Sequence, residues 1–309
     1  MSEFDHTHGY NLQQLLEVSF PAAPADFEDF WRGTYEAVLQ LPLEIERRRI
    51  DSPDANFELW EVEFNSLDGV RIGGWISLPA DGNFEHGVVV GHGYGGRNEP
   101  ALSAFGPRAV VISPCARGFD RSARSDLPNE SGGHVLHGIE SRETYLHRGS
   151  VADLWSAASV LLELYPKVEG NLDYQGGSFG GGIGALMIPW DKRFRRAFLD
   201  VPSFGNHPLR FQLPCTGSGE AVRQRYLQDP SVLEVLAYFD AATAASFAKL
   251  PVFVAAALSD PAVPPPGQFA VYNALKSEKE LFVRQQGHPN TEADDNELAE
   301  KLNEWFGRP

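Results

Sequence analysis

Six short, continuous apolar runs alternate with helical stretches along most of this chain. The runs cover residues 87–92, 109–114, 172–177, 197–202, 252–258 and 280–285. Runs of this length suit strands that are covered on both faces. Helices are predicted between several of them, at 145–165, 180–188, 265–276 and 291–306. Because such alternation implies crossover connections, the sequence predicts an α/β fold with a mostly parallel central sheet flanked by helices.

Three other segments do not follow this alternation. Residues 57–64 and 70–78 alternate apolar and polar side chains around a Leu67-Asp68-Gly69 turn, which predicts an antiparallel hairpin. Residues 24–40 have a helical apolar face, so we expect an N-terminal helical extension over residues 1–50. Residues 203–249 are predicted to form a helical insertion over the carboxyl edge of the sheet, where ligands bind in such folds. We expect residues 1–309 to form one domain.

Composition excludes several classes of function. The net charge of -16 disfavours binding to nucleic acid, because the surface repels phosphate backbones. No apolar stretch is long enough to predict a membrane span, and the polar N-terminus does not resemble a signal peptide. Cys115 and Cys215 lack metal-ligand spacing. We therefore expect a cytoplasmic protein with no metal site.

The strongest local motif is Gly176-Gly177-Ser178-Phe179-Gly180, a GxSxG match. A predicted strand precedes it and a predicted helix follows it, which is the context of the nucleophile elbow in the α/β-hydrolase fold. Glycines beside the serine permit the sharp turn, and the helix N-terminus behind it favours developing negative charge. The motif alone leaves open a glycine loop without chemistry.

A second glycine-rich segment, residues 92–96 (HGYGG), follows an apolar run directly. In α/β-hydrolases a loop at this point donates one backbone N–H to the oxyanion hole, and the residue after the nucleophile donates the other. The predicted donors are therefore the amides of Tyr94 and Phe179. A plain glycine turn is the alternative, and His92 is interpreted as structural because it ends the strand.

Two downstream residues complete the order Ser, Asp, His that this fold uses. Asp260 and His288 each follow a predicted strand, so both are expected at the same sheet edge as Ser178. His288 would accept the hydroxyl proton as general base, and Asp260 would orient the imidazole.

Other acids and histidines compete for these roles. Asp153 and Asp200 are alternative acids, although neither lies between Ser178 and the histidine at a late strand end. A further three histidines precede the serine and are expected to line a pocket or to be structural: His134, His137 and His147.

Several segments together resemble a known family. They are residues 24–31 (PADFEDFW), 92–97 (HGYGGR), 116–122 (ARGFDRS), 138–158, 238–252 and 257–275 (ALSDPAVPPPGQFAVYNAL). The chain resembles the acetyl xylan esterase and cephalosporin C deacetylase family of α/β-hydrolases, carbohydrate esterase family 7. The resemblance implies deacetylation of small acetylated sugars and related esters without a cofactor. It also implies a homo-oligomer, and it matches Ser178, Asp260, His288, Tyr94 and Phe179 to the family's triad and oxyanion donors.

Three departures from that family pattern stand out. Phe179 and Phe119 replace glutamines, and His288-Pro289 replaces a His-Glu pair. Phe119 and its neighbour Arg117 are therefore candidates for the substrate pocket, with Arg117 also expected to pair with a carboxylate below the site. The two phenylalanines make the region near the serine more apolar.

The sequence thus favours a serine carboxylic ester hydrolase that removes short acyl groups, acetyl above all, through an acyl-enzyme on Ser178. A peptidase or lactone hydrolase on the same fold is the alternative enzyme, because a fold does not determine a substrate. A non-catalytic binding protein that kept the scaffold is the alternative outside enzymes.

Overall fold

The computed structural model describes residues 4–288 and 292–307. Within this part of the chain, nine strands form one sheet in the order β1-β2-β3-β5-β4-β6-β7-β8-β9. Their bounds are β1 Glu46–Ile50, β2 Phe57–Asn65, β3 Arg71–Pro79, β4 His86–Gly91, β5 Ala109–Pro114, β6 Leu172–Gly177, β7 Phe194–Asp200, β8 Val252–Ala257 and β9 Lys279–Arg284.

Strands β4 to β9 are parallel to one another, and all six overlap the predicted apolar runs, with β7 beginning three residues earlier than its run. The mostly parallel sheet is therefore confirmed. Strands β2 and β3 form the predicted antiparallel hairpin, and β3 joins the parallel strands by pairing antiparallel with β5. The turn between β2 and β3 places Asp68 in the left-handed region with a φ of 63°.

The helices flank the sheet as the alternation predicted. Neighbouring residues of one strand face opposite layers, as in β7, where Leu199 belongs to the large core and Phe198 packs with Leu298 and Trp305 of the last helix. The bounds are α1 Leu12–Leu16, α2 Phe27–Leu39, α3 Ser131–His134, α4 Leu146–Leu164, α5 Phe179–Met187, α6 His207–Arg210, α7 Gly217–Gln228, α8 Val232–Leu236, α9 Ala241–Ala245, α10 Pro265–Ala274 and α11 Glu292–Phe306.

The expectation of a helical segment throughout residues 1–50 is wrong at its end. Helices α1 and α2 lie in this segment, but Glu46–Ile50 form the edge strand β1, antiparallel to β2. The strand was not predicted because its run of charged side chains lacks an apolar pattern, whereas in the fold its arginines contact partners on β2. Arg49 pairs with Glu58 at 2.9 Å, and the Arg47 guanidinium lies 4.7 Å from the centre of the Trp60 ring.

Residues 203–249 form α6 to α9 after the carboxyl end of β7. This segment reaches the loop that follows β8, where the Thr216 N–H donates to the Pro261 carbonyl at 2.8 Å. The insertion therefore lies at the carboxyl edge of the sheet. Among residues 4–288 and 292–307, no helix combines the length and the apolar character needed to cross a membrane.

Candidate active site

Four polar residues meet at the carboxyl edge of four adjacent strands. Ser178 follows β6, Asp200 ends β7, Asp260 follows β8 and His288 follows β9. These strands are neighbours in the order β6-β7-β8-β9 and run parallel, so their carboxyl ends lie side by side. The structure therefore brings the sequence-predicted serine, aspartate and histidine to one edge, with Asp200 among them.

Ser178 has the backbone geometry of a nucleophile elbow. Its φ of 53° and ψ of -112° lie outside the regions that non-glycine residues ordinarily adopt, and it is the N-cap of α5. A Cβ on Gly176 would lie 2.6 Å from the Gly180 carbonyl carbon and oxygen, and one on Gly180 would lie 2.9 Å from the His92 carbonyl oxygen. Strand, elbow and helix approach too closely here for any side chain, which explains the glycines of the motif.

The loop after β7 holds the backbone of the serine on both sides. The Ser178 N–H donates to the Asp200 carbonyl at 2.8 Å, and the Ser203 N–H donates to the Ser178 carbonyl at 3.1 Å. The loop is itself strained, with Val201 at a φ of 37° and Phe204 at 67°. Strain of this kind concentrates at functional sites, where the surrounding structure maintains it.

Asp260 and His288 form a hydrogen-bonded pair. His288 Nδ1 lies 2.8 Å from Asp260 Oδ2, and the carboxylate is completely buried. This bond raises the pKa of His288 above its ordinary value, although burial acts in the opposite direction.

Neighbouring groups fix the Asp260 carboxylate in place. The backbone N–H groups of Ala262 and Val263 donate to Oδ1 at 2.8 and 3.0 Å. The Gln268 side-chain amide donates to Oδ2 at 2.9 Å. Gln268 was not predicted, because nothing in its sequence context points to a carboxylate eight residues away.

The alternative acids have other partners. Asp153 pairs with Arg117 at 2.8 Å, and Asp200 pairs with Arg284 at 3.1 Å. Burial raises the pKa of Asp200 to about 6 even beside this guanidinium. Of the three candidate acids, Asp260 is therefore the one that contacts the imidazole of His288.

The two predicted oxyanion donors stand beside the serine. Within the described part of the chain, the N–H groups of Tyr94 and Phe179 donate no hydrogen bond. A Cβ on Gly93 would lie 3.8 Å from the Ser178 Cβ, so the 92–96 loop borders the nucleophile. The rings of Tyr94 and Phe179 stack with their centres 4.2 Å apart, which couples the two donor residues.

His92 ties this loop to the end of β5. Its Nε2 accepts from the Ala116 N–H at 2.8 Å, and its Nδ1 lies 2.7 Å from the Gly93 carbonyl. Burial lowers the pKa of His92 to about 4, so the imidazole is neutral. These contacts agree with the structural role expected for it.

Arg117 and Phe119 do not fit the predicted role of lining a substrate pocket. The Arg117 side chain is 4% exposed and its guanidinium is bound by Asp153, which fits the expected pairing with a carboxylate. Phe119 is buried against His92, Tyr94 and His134. Both residues are buried because the segment after β5 packs against the 92–96 loop, where the Ala116 N–H and the Phe119 ring contact His92.

The three histidines that precede the serine separate in the structure. His134 and His147 are buried and contact the Tyr94 hydroxyl, whereas His137 has no such contact. The sequence did not predict these contacts with Tyr94, because only tertiary packing brings the 92–96 loop to the two histidines. No cluster of three or more metal-ligating side chains occurs in residues 4–288 and 292–307.

Comparison with known proteins relates the whole arrangement to one family. The sequence profile of the acetyl xylan esterases (AXE1) matches residues 11–306. This chain belongs to the acetyl xylan esterase family. Membership makes it a carboxylic ester hydrolase, as predicted. It favours this enzyme over the alternative of a non-catalytic binding protein.

Similar proteins agree with the family assignment. The chain is 21% identical over 296 residues to the acetyl esterase Axe7A of Xylanibacter ruminicola, covering 91% of this chain and 67% of that protein. The acetyl xylan esterase structure from Paenibacillus sp. R4 superposes with a TM-score of 0.85 at 22% identity, over 96% of this chain and 99% of that one.

A second structure, acetyl xylan esterase 1 from Thermoanaerobacterium sp. JW/SL YS485, gives the same TM-score of 0.85 at 21% identity. The match covers 98% of this chain and 99% of the second structure's chain. At such identities the structural similarity establishes the fold, and the predicted α/β-hydrolase fold is confirmed.

Proposed function

We propose that this family member is a serine esterase that removes acetyl groups from small esters through an acyl-enzyme on Ser178. The observation that carries the proposal is the 2.8 Å contact between His288 Nδ1 and the buried Asp260 carboxylate, at the sheet edge where Ser178 occupies a strained elbow. A buried carboxylate on one imidazole nitrogen leaves the other nitrogen to exchange a proton with a nucleophile.

The proposed reaction has two halves. Ser178 Oγ attacks the ester carbonyl carbon while its proton passes to His288 Nε2, and the carbonyl oxygen becomes an oxyanion facing the amides of Tyr94 and Phe179. The C–O bond then breaks, and the alcohol leaves with the proton from His288. Water attacks the acyl-enzyme by the same route and releases acetate and free Ser178.

Acetylated sugars and acetylated antibiotics of the cephalosporin C type are the proposed substrates. The names of the similar proteins support an acetyl group, and the cephalosporin C type is proposed from the family resemblance. A cytoplasmic location remains our proposal, supported by two buried cysteines without a disulfide. Homo-oligomerisation is proposed from the family resemblance and is tested by light scattering of the purified protein.

Hydrolysis of p-nitrophenyl acetate by the wild type and by Ser178→Ala tests the proposal. We expect loss of at least about 10³-fold in kcat with unchanged thermal unfolding, because the nucleophile is removed and no packing is lost. Turnover by Ser178→Ala at the wild-type rate would contradict the mechanism.

A substrate panel then separates the alternatives. It contains acetyl esters of xylose and of cephalosporin C, longer acyl esters, lactones and aminoacyl amides. Preference for acetyl esters supports the proposal. Preference for aminoacyl amides or lactones would favour a peptidase or a lactone hydrolase on this fold. A wild type that neither cleaves any of these nor reacts with a fluorophosphonate at Ser178 would indicate a binding protein.

A further inference from the structure

A buried chain of polar side chains lies behind the proposed oxyanion loop. The Tyr94 hydroxyl is 2.8 Å from His147 Nε2 and 3.3 Å from His134 Nδ1, and His134 Nε2 is 3.0 Å from the Arg117 carbonyl oxygen. His134 and His147 are 0% and 1% exposed. Neither histidine belongs to the Ser178, His288, Asp260 set, so their burial beside Tyr94 calls for a separate explanation.

The donors and acceptors in this series of hydrogen bonds can be assigned in only one direction. Burial lowers the pKa of His134 to about 3 and that of His147 well below its ordinary value, so each imidazole is neutral and carries one hydrogen. The Arg117 carbonyl can only accept, so the hydrogen of His134 is on Nε2. His134 Nδ1 therefore accepts from the Tyr94 hydroxyl.

The same reasoning fixes the remaining bond. Because the Tyr94 hydroxyl has one hydrogen, which it donates to His134, it accepts the hydrogen of His147 Nε2. Each of the three hydrogen bonds in the series from His147 through Tyr94 and His134 to the Arg117 carbonyl then joins one donor to one acceptor. Such a satisfied buried network holds its members in one arrangement.

Arg117, at the other end of this series of hydrogen bonds, is also held in place. The Arg117 backbone N–H donates to Asp153 Oδ2 at 3.1 Å, and the Arg117 guanidinium pairs with the same carboxylate at 2.8 Å. Helix α4 supplies both His147 and Asp153. Tyr94 is thus fastened at its hydroxyl to a rigid helix, while its own backbone belongs to a glycine-rich loop.

We propose that His134 and His147 are positioning residues that act through the Tyr94 hydroxyl to hold the Tyr94 amide where the oxyanion develops. The inference rests on the proposed function, since it concerns one of its two oxyanion donors. The loop has glycines on both sides of Tyr94, so its backbone has little intrinsic preference for one orientation of that amide. Anchoring the side chain supplies the missing constraint, as preorganised donors require.

The test compares His147→Phe with His137→Phe, a control from the same part of the chain that does not contact Tyr94. Displacing one donor lowers kcat for p-nitrophenyl acetate by about 10- to 100-fold in His147→Phe, with KM within about threefold. His137→Phe stays at the wild-type kcat. His147→Gln keeps an N–H donor and is expected to recover most of the lost kcat.

A double-mutant cycle shows whether the effect passes through the hydroxyl. Tyr94→Phe keeps the backbone amide and removes only the hydroxyl, so adding His147→Phe to it should lower kcat no further. Full additivity of the two losses would overturn the proposal, and so would an unchanged kcat in both His147→Phe and Tyr94→Phe.

The two proposals fail separately. If wild-type turnover does not depend on Ser178, the proposed function is wrong whatever the histidines do. If turnover depends on Ser178 but neither Tyr94→Phe nor His147→Phe differs from His137→Phe, the positioning role alone is wrong. Thermal unfolding of each variant identifies those that lose activity merely by unfolding.

Discussion

Arg284, at the end of β9, lies 3.1 Å from the carboxylate of Asp200, at the end of β7. The strand between them is β8, which leads to Asp260. The ion pair therefore spans the strand of the proposed triad acid and joins the two loops on either side of it. Arg284 is 2% exposed and also reaches Asp295 of α11 at 3.2 Å, so it ties the active edge to the last helix.

Removal of this guanidinium should destabilise the protein strongly. Arg284→Met leaves the Asp200 carboxylate, which is 19% exposed, without a cation, and breaking a largely buried pair in this way costs about 3–5 kcal/mol. Urea unfolding at pH 7 measures the loss. Arg32→Met, which removes a guanidinium from an exposed pair on α2, is the control and should change the free energy of unfolding by less than about 1 kcal/mol. Equal effects of the two substitutions would show that the buried pair adds nothing.

The raised pKa of Asp200 predicts a pH dependence of stability. The pKa is about 6 in the folded protein and 3.8 as the ordinary value. As pH rises from about 4 to 6, the unfolded state loses this proton and the folded state keeps it, so folding becomes less favourable. Over this pH range, the unfolding free energy of the wild type should therefore fall by about 3 kcal/mol relative to that of Asp200→Asn.

Urea unfolding of both proteins at intervals from pH 4 to 7 measures this shift. Parallel curves over the whole interval would mean that Asp200 titrates in the folded state as it does in the unfolded chain.

His288 predicts the pH dependence of activity. A general base acts only when it is unprotonated, and the bond to Asp260 raises the pKa of His288. The acid limb of kcat/KM for p-nitrophenyl acetate should therefore lie above the ordinary imidazole value of about 6.5. Asp260→Asn should move this limb to lower pH and lower kcat by about 10³- to 10⁴-fold, because the carboxylate no longer orients the imidazole. An acid limb that stays in place in Asp260→Asn would exclude this pairing.

The close contacts at the elbow predict which glycines tolerate a methyl group. Gly180→Ala would place a Cβ 2.9 Å from the backbone of Gly91 and His92, so we expect a loss of about 1–3 kcal/mol in unfolding free energy together with lower kcat. Gly33→Ala is the matched control, since Gly33 lies within α2 with nothing within 4 Å of a Cβ. It should be neutral or should stabilise by up to about 1 kcal/mol. Similar melting temperatures for the two variants would contradict the packing argument.

Local sequence was sufficient for most of the fold. The apolar runs at 87–92 and 252–258 became β4 and β8 because buried parallel strands need side chains that are apolar on both faces. The strand at Glu46–Ile50 was missed because its charged side chains are stabilised by partners on β2, which the local pattern does not contain. The same limit applied to Phe119, whose place in the interior depends on how the segment after β5 folds back.

By itself the sequence determined the helices and strands and the order of the candidate triad. The reason is that the strands, the glycine elbow, and the Asp and His that follow late strands are all patterns of residues adjacent in the chain. Only the tertiary structure decided which acid contacts His288, how the loop after β7 holds Ser178, and that two buried histidines bond to Tyr94. These are contacts between residues far apart in the chain, made where adjacent strands end at one sheet edge. Their distances and burial set the pKa values and the hydrogen-bond directions on which the chemistry depends.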